Sequence, residues 1–149
     1  MNDCIFCKIV RWELPSWLIW EDDKHYAFLD LFPNCKWQAL VIPKKHCDSK
    51  VFEMEKQSYS DLMLASKSVS HILKDTFGIE RVGMIMEWMG VNHAHIKLYP
   101  MHWLDADRTP DESTEKVFYD EYPGFLTTKT GEMLDQEKIS SLLQIIKKN

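Results

Sequence analysis

The sequence predicts an α+β domain with an antiparallel sheet, and three observations carry that reading. Short apolar runs closed by turn residues or Pro read as strands, the first two close enough to form a hairpin. One long segment has helical spacing. The order is hairpin, strand, long helix, two strands and a tail, as expected of an α+β domain.

Each element has its own warrant in the residues. Ile5-Phe6 and Ile9-Val10, set around Cys4 and Cys7, predict one helical turn or a tight knuckle that Leu14-Pro15-Ser16 ends. Trp17–Trp20 reads as a strand closed by Glu21-Asp22-Asp23-Lys24, and Tyr26–Asp30 as its hairpin partner. Gln38–Ile42 is a third strand stopped by Pro43. Tyr59, Leu62, Met63, Val69, Ile72, Leu73 and Phe77 fall mostly at three- and four-residue steps, an amphipathic helix that Gly78 terminates. A strand follows from Arg81-Val82 to Met86, and another from His93 to Tyr99, ended by Pro100. Residues 104–122 are acidic and aperiodic, and read as loop. Gly124–Thr128 suggests a short strand, and Asp135 can cap a last helix presenting Ile139, Leu142, Leu143 and Ile146.

Length and composition narrow the class. The 149 residues suit one domain, and 45% hydrophobic with 28% charged residues is an ordinary globular balance. No apolar run approaches the ~20 residues needed to span a bilayer. A net charge of −5 argues against a general nucleic-acid backbone binder. A small phosphorylated ligand in a locally basic pocket remains compatible with it. The start, Met1-Asn2-Asp3-Cys4, lacks a basic region followed by an apolar core, so the reducing cytoplasm is the expected compartment. There, Cys4-x-x-Cys7 reads as metal-binding or redox before it reads as a disulfide.

His93-Ala94-His95-Ile96-Lys97 is the most informative run. On a strand these two imidazoles and the ammonium share one face. A polar solvent face is the plain alternative, but His-x-His-x-Lys favours function. Neutral imidazole is a good nucleophile toward phosphorus, and a neighbouring cation offsets charge on the non-bridging oxygens. Cys4, Cys7, His46 and His93 are a second candidate set, because thiolates and imidazoles are natural zinc ligands. The alternative is a reduced Cys pair and two surface His. Cys35 and Cys47 read as free thiols. Asp30 ends a strand beside a Pro turn. It either caps that turn or accepts hydrogen bonds from two ribose hydroxyls.

Together these residues resemble the histidine triad (HIT) superfamily of nucleotide hydrolases and transferases. The likeness is carried in order by Cys4-Ile-Phe-Cys7-Lys-Ile, Phe28-Leu29-Asp30 with Pro33, Leu40-Val-Ile-Pro43-Lys44-Lys45-His46, and the His93-x-His95 strand ending in Pro100. The tail, including Tyr122–Thr128, looks like the diadenosine polyphosphate hydrolase-like branch. The resemblance implies a single HIT-like domain with its core at about 3–102 and an extension at about 103–149. It implies a five-stranded antiparallel sheet with one long helix and a C-terminal helix, paired into a homodimer. A purine nucleotide would lie over the sheet, gripped at the ribose by Asp30, with Phe28 and Leu29 near the base. Gly90 and Asn92 stand in the loop that meets the phosphates. His95 would attack the α-phosphorus, and a structural zinc would sit on Cys4, Cys7, His46 and His93. Neither a nucleic-acid nor a membrane partner is expected.

The departures bear on chemistry more than on fold. Lys97 stands where the family has its third His. Glu87-Trp88-Met89-Gly90-Val91-Asn92 replaces a Gly-rich loop bearing Gln and Ser, and Trp37-Gln38 replaces a common Gly-His. Two readings follow. One is a hydrolase cleaving at the α-phosphate of a diadenosine polyphosphate or an adenylated small molecule, with Lys97 supporting phosphate charge. The other is a catalytically weak or silent, zinc-stabilised nucleotide-binding dimer.

Overall fold

A computed structural model describes residues 4–87, 89–102, 116–127, 129 and 131–147. Cα proximity divides the chain into two compact units, Met1–Arg108 and Thr109–Asn149. The first holds a five-stranded antiparallel sheet, as the resemblance implies, with the strands in the order β1-β2-β3-β5-β4. Its strands are β1 (Leu18–Glu21), β2 (His25–Leu29), β3 (Ala39–Pro43), β4 (Val82–Ile85) and β5 (Ile96–Pro100). The β1–β2 hairpin turns at Asp22, whose carboxylate accepts the backbone N–H of Lys24 at 2.8 Å and of His25 at 2.5 Å. The central strands β2 and β3 run Ala27↔Val41 and Phe28↔Leu40, and Leu40 in turn faces Lys97 of β5.

Both faces of these central strands are covered, which is why β2 and β3 are almost wholly buried rather than alternating. Helix α2 (Lys56–Phe77) lays Leu62, Ala65, Val69 and Leu73 on Ala27, Ala39, Val41, Ile96 and Leu98. Each fully buried Leu or Val there contributes roughly 1.5–3 kcal/mol. The helix begins at Glu55, whose carboxylate accepts the Gln57 and Ser58 backbone N–H groups at 3.0 Å. It ends at Gly78, which holds φ +61° while Ile79 N–H reaches the Lys74 carbonyl. Helix α1 (Ile5–Val10) covers the other face, where Phe6 and Ile9 meet Tyr26, Phe28, Leu40 and Ile42.

Two expectations change. The regular part of the last strand begins at Ile96, not at His93. His93 N–H turns back to Val91 O, and Ala94 N–H goes to Cys47 O, so residues 93–95 lead into the ladder instead of joining it. Residues 124–127 form no strand; Gly124 sits in a bend at φ +89°, and Thr128 lies outside the described residues. Much of the predicted acidic loop, residues 103–115, also lies outside them.

Trp37 precedes β3 with φ +65°, a left-handed conformation that costs a non-Gly residue about 1–2 kcal/mol. Its ring stacks on Phe77 at 3.7 Å between centroids, 7° from parallel, and Lys36 lies over it. That stack ties the approach to β3 to the end of α2 and offsets the strain. In the second unit, α3 (Gln136–Lys147) follows Asp135, with Ile139, Leu143 and Ile146 exposed. No helix among the described residues is long and apolar enough to cross a membrane.

Candidate functional site

The knuckle that the sequence predicts around Cys4 and Cys7 places both thiols against two imidazoles from distant segments. Cys4 Sγ lies 3.4 Å from His93 Nδ1, Cys7 Sγ 3.6 Å from the same nitrogen, and Cys7 Sγ 3.4 Å from His46 Nδ1. All four donor atoms fall within 4.8 Å of one another. A tetrahedral ion with bonds of about 2.0–2.3 Å needs donors about 3.3–3.8 Å apart, so the set fits a metal of that geometry. His93 Nε2–H donates to the Pro43 carbonyl at 2.9 Å, which leaves Nδ1 as the lone-pair nitrogen aimed at the thiols. Burial pulls the His93 pKa down to about 4, against the opposing effect of the Pro43 bond. It is therefore a neutral imidazole at ordinary pH, the form that could ligate a metal. Burial first, and then the neighbouring Cys4, push the Cys7 thiol up, so binding an ion there would displace a proton.

The sheet face beside this cluster carries a cleft of about 300 Å³. Its floor is Phe28 and Asp30 from the β2 side, Gln38 and Leu40 from the β3 side, and His95, Lys97 and Tyr99 from the β5 side. Phe6 of α1 forms part of the wall, its ring 5.5 Å from that of His95 and 5.8 Å from that of His93. The predicted His95 thus faces the cleft, while His93 belongs to the metal-type cluster.

His95 Nδ1–H donates to the His93 carbonyl at 2.7 Å. A carbonyl can only accept, so the proton is on Nδ1 and the Nε2 lone pair is free. Burial is the chief influence lowering its pKa, with the His93 carbonyl acting the other way. His95 as a whole is only 3% exposed. Asp30 Oδ1 accepts Phe32 N–H at 2.9 Å, which is the turn cap, and Oδ2 accepts from Gln38 Nε2 at 2.5 Å. Asp30 nonetheless lines the cleft, so capping the turn does not remove it from the site.

Lys97 lines the cleft, but its ammonium is paired with the Glu87 carboxylate. Burial is the largest influence and works to lower its pKa; the Glu87 bond, together with the charges of Glu87, Tyr99 and Asp30, outweighs it and raises the pKa. Gly90, at φ +89°, lies at the rim, in a conformation that suits glycine. Two residues expected at the ligand lie elsewhere. Leu29 follows Phe28 on the opposite strand face and does not line the cleft. Asn92 accepts from Ser49 N–H at 3.1 Å and Ser49 O–H at 2.9 Å, tying the segment after His46 to the one before His93. Cys35 and Cys47 are free thiols, as expected.

Glu87, Gln38, Phe6 and the rim residues Leu31 and Phe32 are the site residues that motif spacing does not point to. Glu87 meets Lys97 through the sheet register, which spacing along the chain does not show. Ile85 is opposite Lys97 in the β4–β5 register, and Glu87 is two residues further on.

The family model for the HIT domain matches residues 11–104, which contain His46, His93, His95 and every cleft strand. The chain belongs to the HIT family. This HIT protein is 35% identical over 98 residues to an adenosine 5'-monophosphoramidase of Saccharomyces cerevisiae, a match covering 65% of this chain and 61% of that enzyme. It thus spans less than two thirds of the yeast protein. It is 31% identical over 122 residues to a HIT-like protein of Methanocaldococcus jannaschii, covering 79% and 94% of the two chains. Among solved structures, one from Streptococcus mutans UA159 superposes with a TM-score of 0.73 at 27% identity, over 99% of this chain and 85% of that one. A histidine triad protein from Clostridium difficile superposes with a TM-score of 0.60 at 30% identity, over 70% and 96%. Cys4 and Cys7 lie ahead of the matched HIT segment, so the metal-type cluster draws half its donors from outside it.

Proposed function

We propose that this HIT protein cleaves nucleotides at the α-phosphate of adenosine through His95. The observation that carries the reading is the fixed tautomer of His95, whose Nδ1–H is held by the His93 carbonyl and whose Nε2 is free beside the cleft. In the proposed step, Nε2 forms a bond to the α-phosphorus. The bond from phosphorus to the leaving group breaks, and the leaving group takes the electron pair, an amine also taking a proton from water. Water then cleaves the phosphorus–nitrogen bond, releasing AMP and restoring the imidazole. The base would lie on the apolar wall of Phe6, Phe28 and Leu40, the ribose at Asp30, and the phosphate charge near Lys97 and the backbone around Gly90.

Candidate substrates are adenosine phosphoramidates, as in the name of the yeast relative, adenylated small molecules and diadenosine polyphosphates. Zinc on Cys4, Cys7, His46 and His93 would have all four positions filled by protein and would act as a structural clamp. The homodimer, and residues 103–149 as an extension of one HIT-like domain, belong to the same proposal; sedimentation at several concentrations tests the first.

The test is to incubate purified protein with adenosine 5'-phosphoramidate and with diadenosine tetraphosphate, and to follow AMP release. Turnover by the wild type that falls about 10³-fold or more in His95→Ala supports the reading. Undiminished turnover in that variant overturns it. The Lys97–Glu87 pair favours a second reading, a nucleotide binder with little turnover, because an ammonium already neutralised offers less to a phosphate. AMP binding without AMP release in the same assay would select it.

A further inference from the structure

Gln38 is buried, 3% exposed, on the cleft floor, and its polar bonds tie it to Asn34, Cys35 and Asp30. Its Oε1 accepts Asn34 N–H at 2.9 Å. A backbone N–H can only donate, so the amide cannot be flipped, and the NH₂ must face Asp30 Oδ2, 2.5 Å away. The main chain doubles the link, with Asp30 N–H donating to the Gln38 carbonyl at 2.9 Å. Upstream, the strained Trp37 is clamped on Phe77, which fixes where β3 begins and where the Gln38 side chain leaves it. Strain held this firmly beside a cleft marks a position whose aim matters.

A carboxylate offers about four lone-pair sites. On Asp30, Phe32 N–H takes one on Oδ1 and the Gln38 amide takes one on Oδ2. One site on each oxygen is left, which is what two adjacent hydroxyls require. We propose that Gln38 is the positioning residue that turns Asp30 into a reader of the ribose 2′,3′-diol, and so sets the preference for ribonucleotides. This rests on the nucleotide reading of the cleft. A site built to pair with hydroxyls discriminates against analogues that lack them, since its own polar groups are then left unpaired.

The test is direct calorimetry of AMP and 2′,3′-dideoxy-AMP with wild type and three variants. Gln38→Glu keeps the length and the bond to Asn34 but sets an acceptor against Asp30. Gln38→Met keeps the length without polarity. Gln38→His retains an N–H donor. The wild type is expected to bind AMP at least tenfold more tightly than the dideoxy analogue. Glu and Met at position 38 should erase most of that ratio by weakening AMP alone, with dideoxy-AMP within about twofold of wild type. His should restore part of it. In turnover, the Glu and Met variants should raise KM with kcat nearly unchanged, because the reacting atoms are not touched.

Variants that keep the wild-type ratio, or that weaken both ligands equally, overturn the role of Gln38 while leaving the nucleotide reading standing. A wild type that binds neither ligand overturns the nucleotide reading itself and the Gln38 role with it. If Gln38→Met fails to fold, the Glu and His pair still decides, since both keep a polar partner for Asn34.

Discussion

The carbonyl of His93 accepts the Nδ1–H of His95 at 2.7 Å, although the two rings serve different neighbourhoods. The His93 ring turns to two thiols, and the His95 ring opens on the cleft. One residue therefore places a candidate donor atom through its side chain and the proton of the cleft imidazole through its main chain. Disturbing the first should disturb the second.

Metal loss is the direct way to see this. The purified protein is expected to carry about one zinc per chain, and chelation should lower its thermal midpoint. At this chain length each kcal/mol lost lowers Tm by about 2–4 °C. Cys4→Ser/Cys7→Ser should bind no metal, and AMP should bind that variant more weakly, because α1 also supplies Phe6 to the cleft. Full zinc occupancy in the double variant would remove these residues from the site.

The Lys97–Glu87 pair makes opposite predictions for its two members. Glu87→Gln frees the ammonium and should tighten binding of a tetraphosphate about three- to tenfold at low salt, with little change for an uncharged leaving group. Lys97→Met leaves a half-buried carboxylate unpaired, and should cost about 1–3 kcal/mol of stability as well as activity. Urea unfolding and turnover on both substrates separate the two effects. Equal stability in wild type and Lys97→Met would mean the pair does not hold in solution.

Acid should expose the Asp22 turn. Burial works to raise the Asp22 pKa, but the His25 ring and the Lys24 and His25 backbone N–H groups outweigh it and lower it below its usual 3.8. A depressed carboxylate adds stability that is present above the unfolded value and is lost as pH falls through the folded one. Asp22→Asn should therefore be less stable than wild type at pH 7, with the gap closing below about pH 3.8. Denaturant melts at pH 7 and pH 3 check it, and a gap that widens in acid contradicts it.

Gly78→Ala tests the stop of α2. No atom lies within 4 Å of the added Cβ, so any cost comes from the backbone at φ +61°. That cost should be about 1 kcal/mol, read as a shift in the urea midpoint with unchanged slope. No loss would mean that the helix ends differently in solution.

Much of this was legible in the residues, for identifiable reasons. Strand and helix periods located every element of the sheet and α2, because covered strands and amphipathic helices write their burial into the sequence. Cys4, Cys7, His46 and His93 were legible as donor chemistry, and their order along the chain carried the family resemblance. The resemblance puts Leu29 near the base and Asn92 in the phosphate loop, whereas strand alternation and a bond to Ser49 leave both outside the cleft lining. Glu87 and Gln38 were hidden because each is defined by a partner on another strand, and single-chain spacing does not encode pairing across a sheet. His93 was expected to share a strand face with His95, but the Val91 turn detaches it from the ladder before the strand begins.

The placement of Ile5 and Phe6 between two thiols has a practical consequence at the bench. Both residues line the cleft, so the segment that carries the Cys pair also walls the site. An amino-terminal polyhistidine tag would bring spare imidazoles within a few residues of the Cys pair. It would compete for the very ion whose occupancy is to be counted. Trimming the chain to the family-matched segment, residues 11–104, would keep His95 and Asp30 and still discard one wall of the pocket. Purification handles belong at the other end of the molecule, or must be cleaved off before any metal is measured.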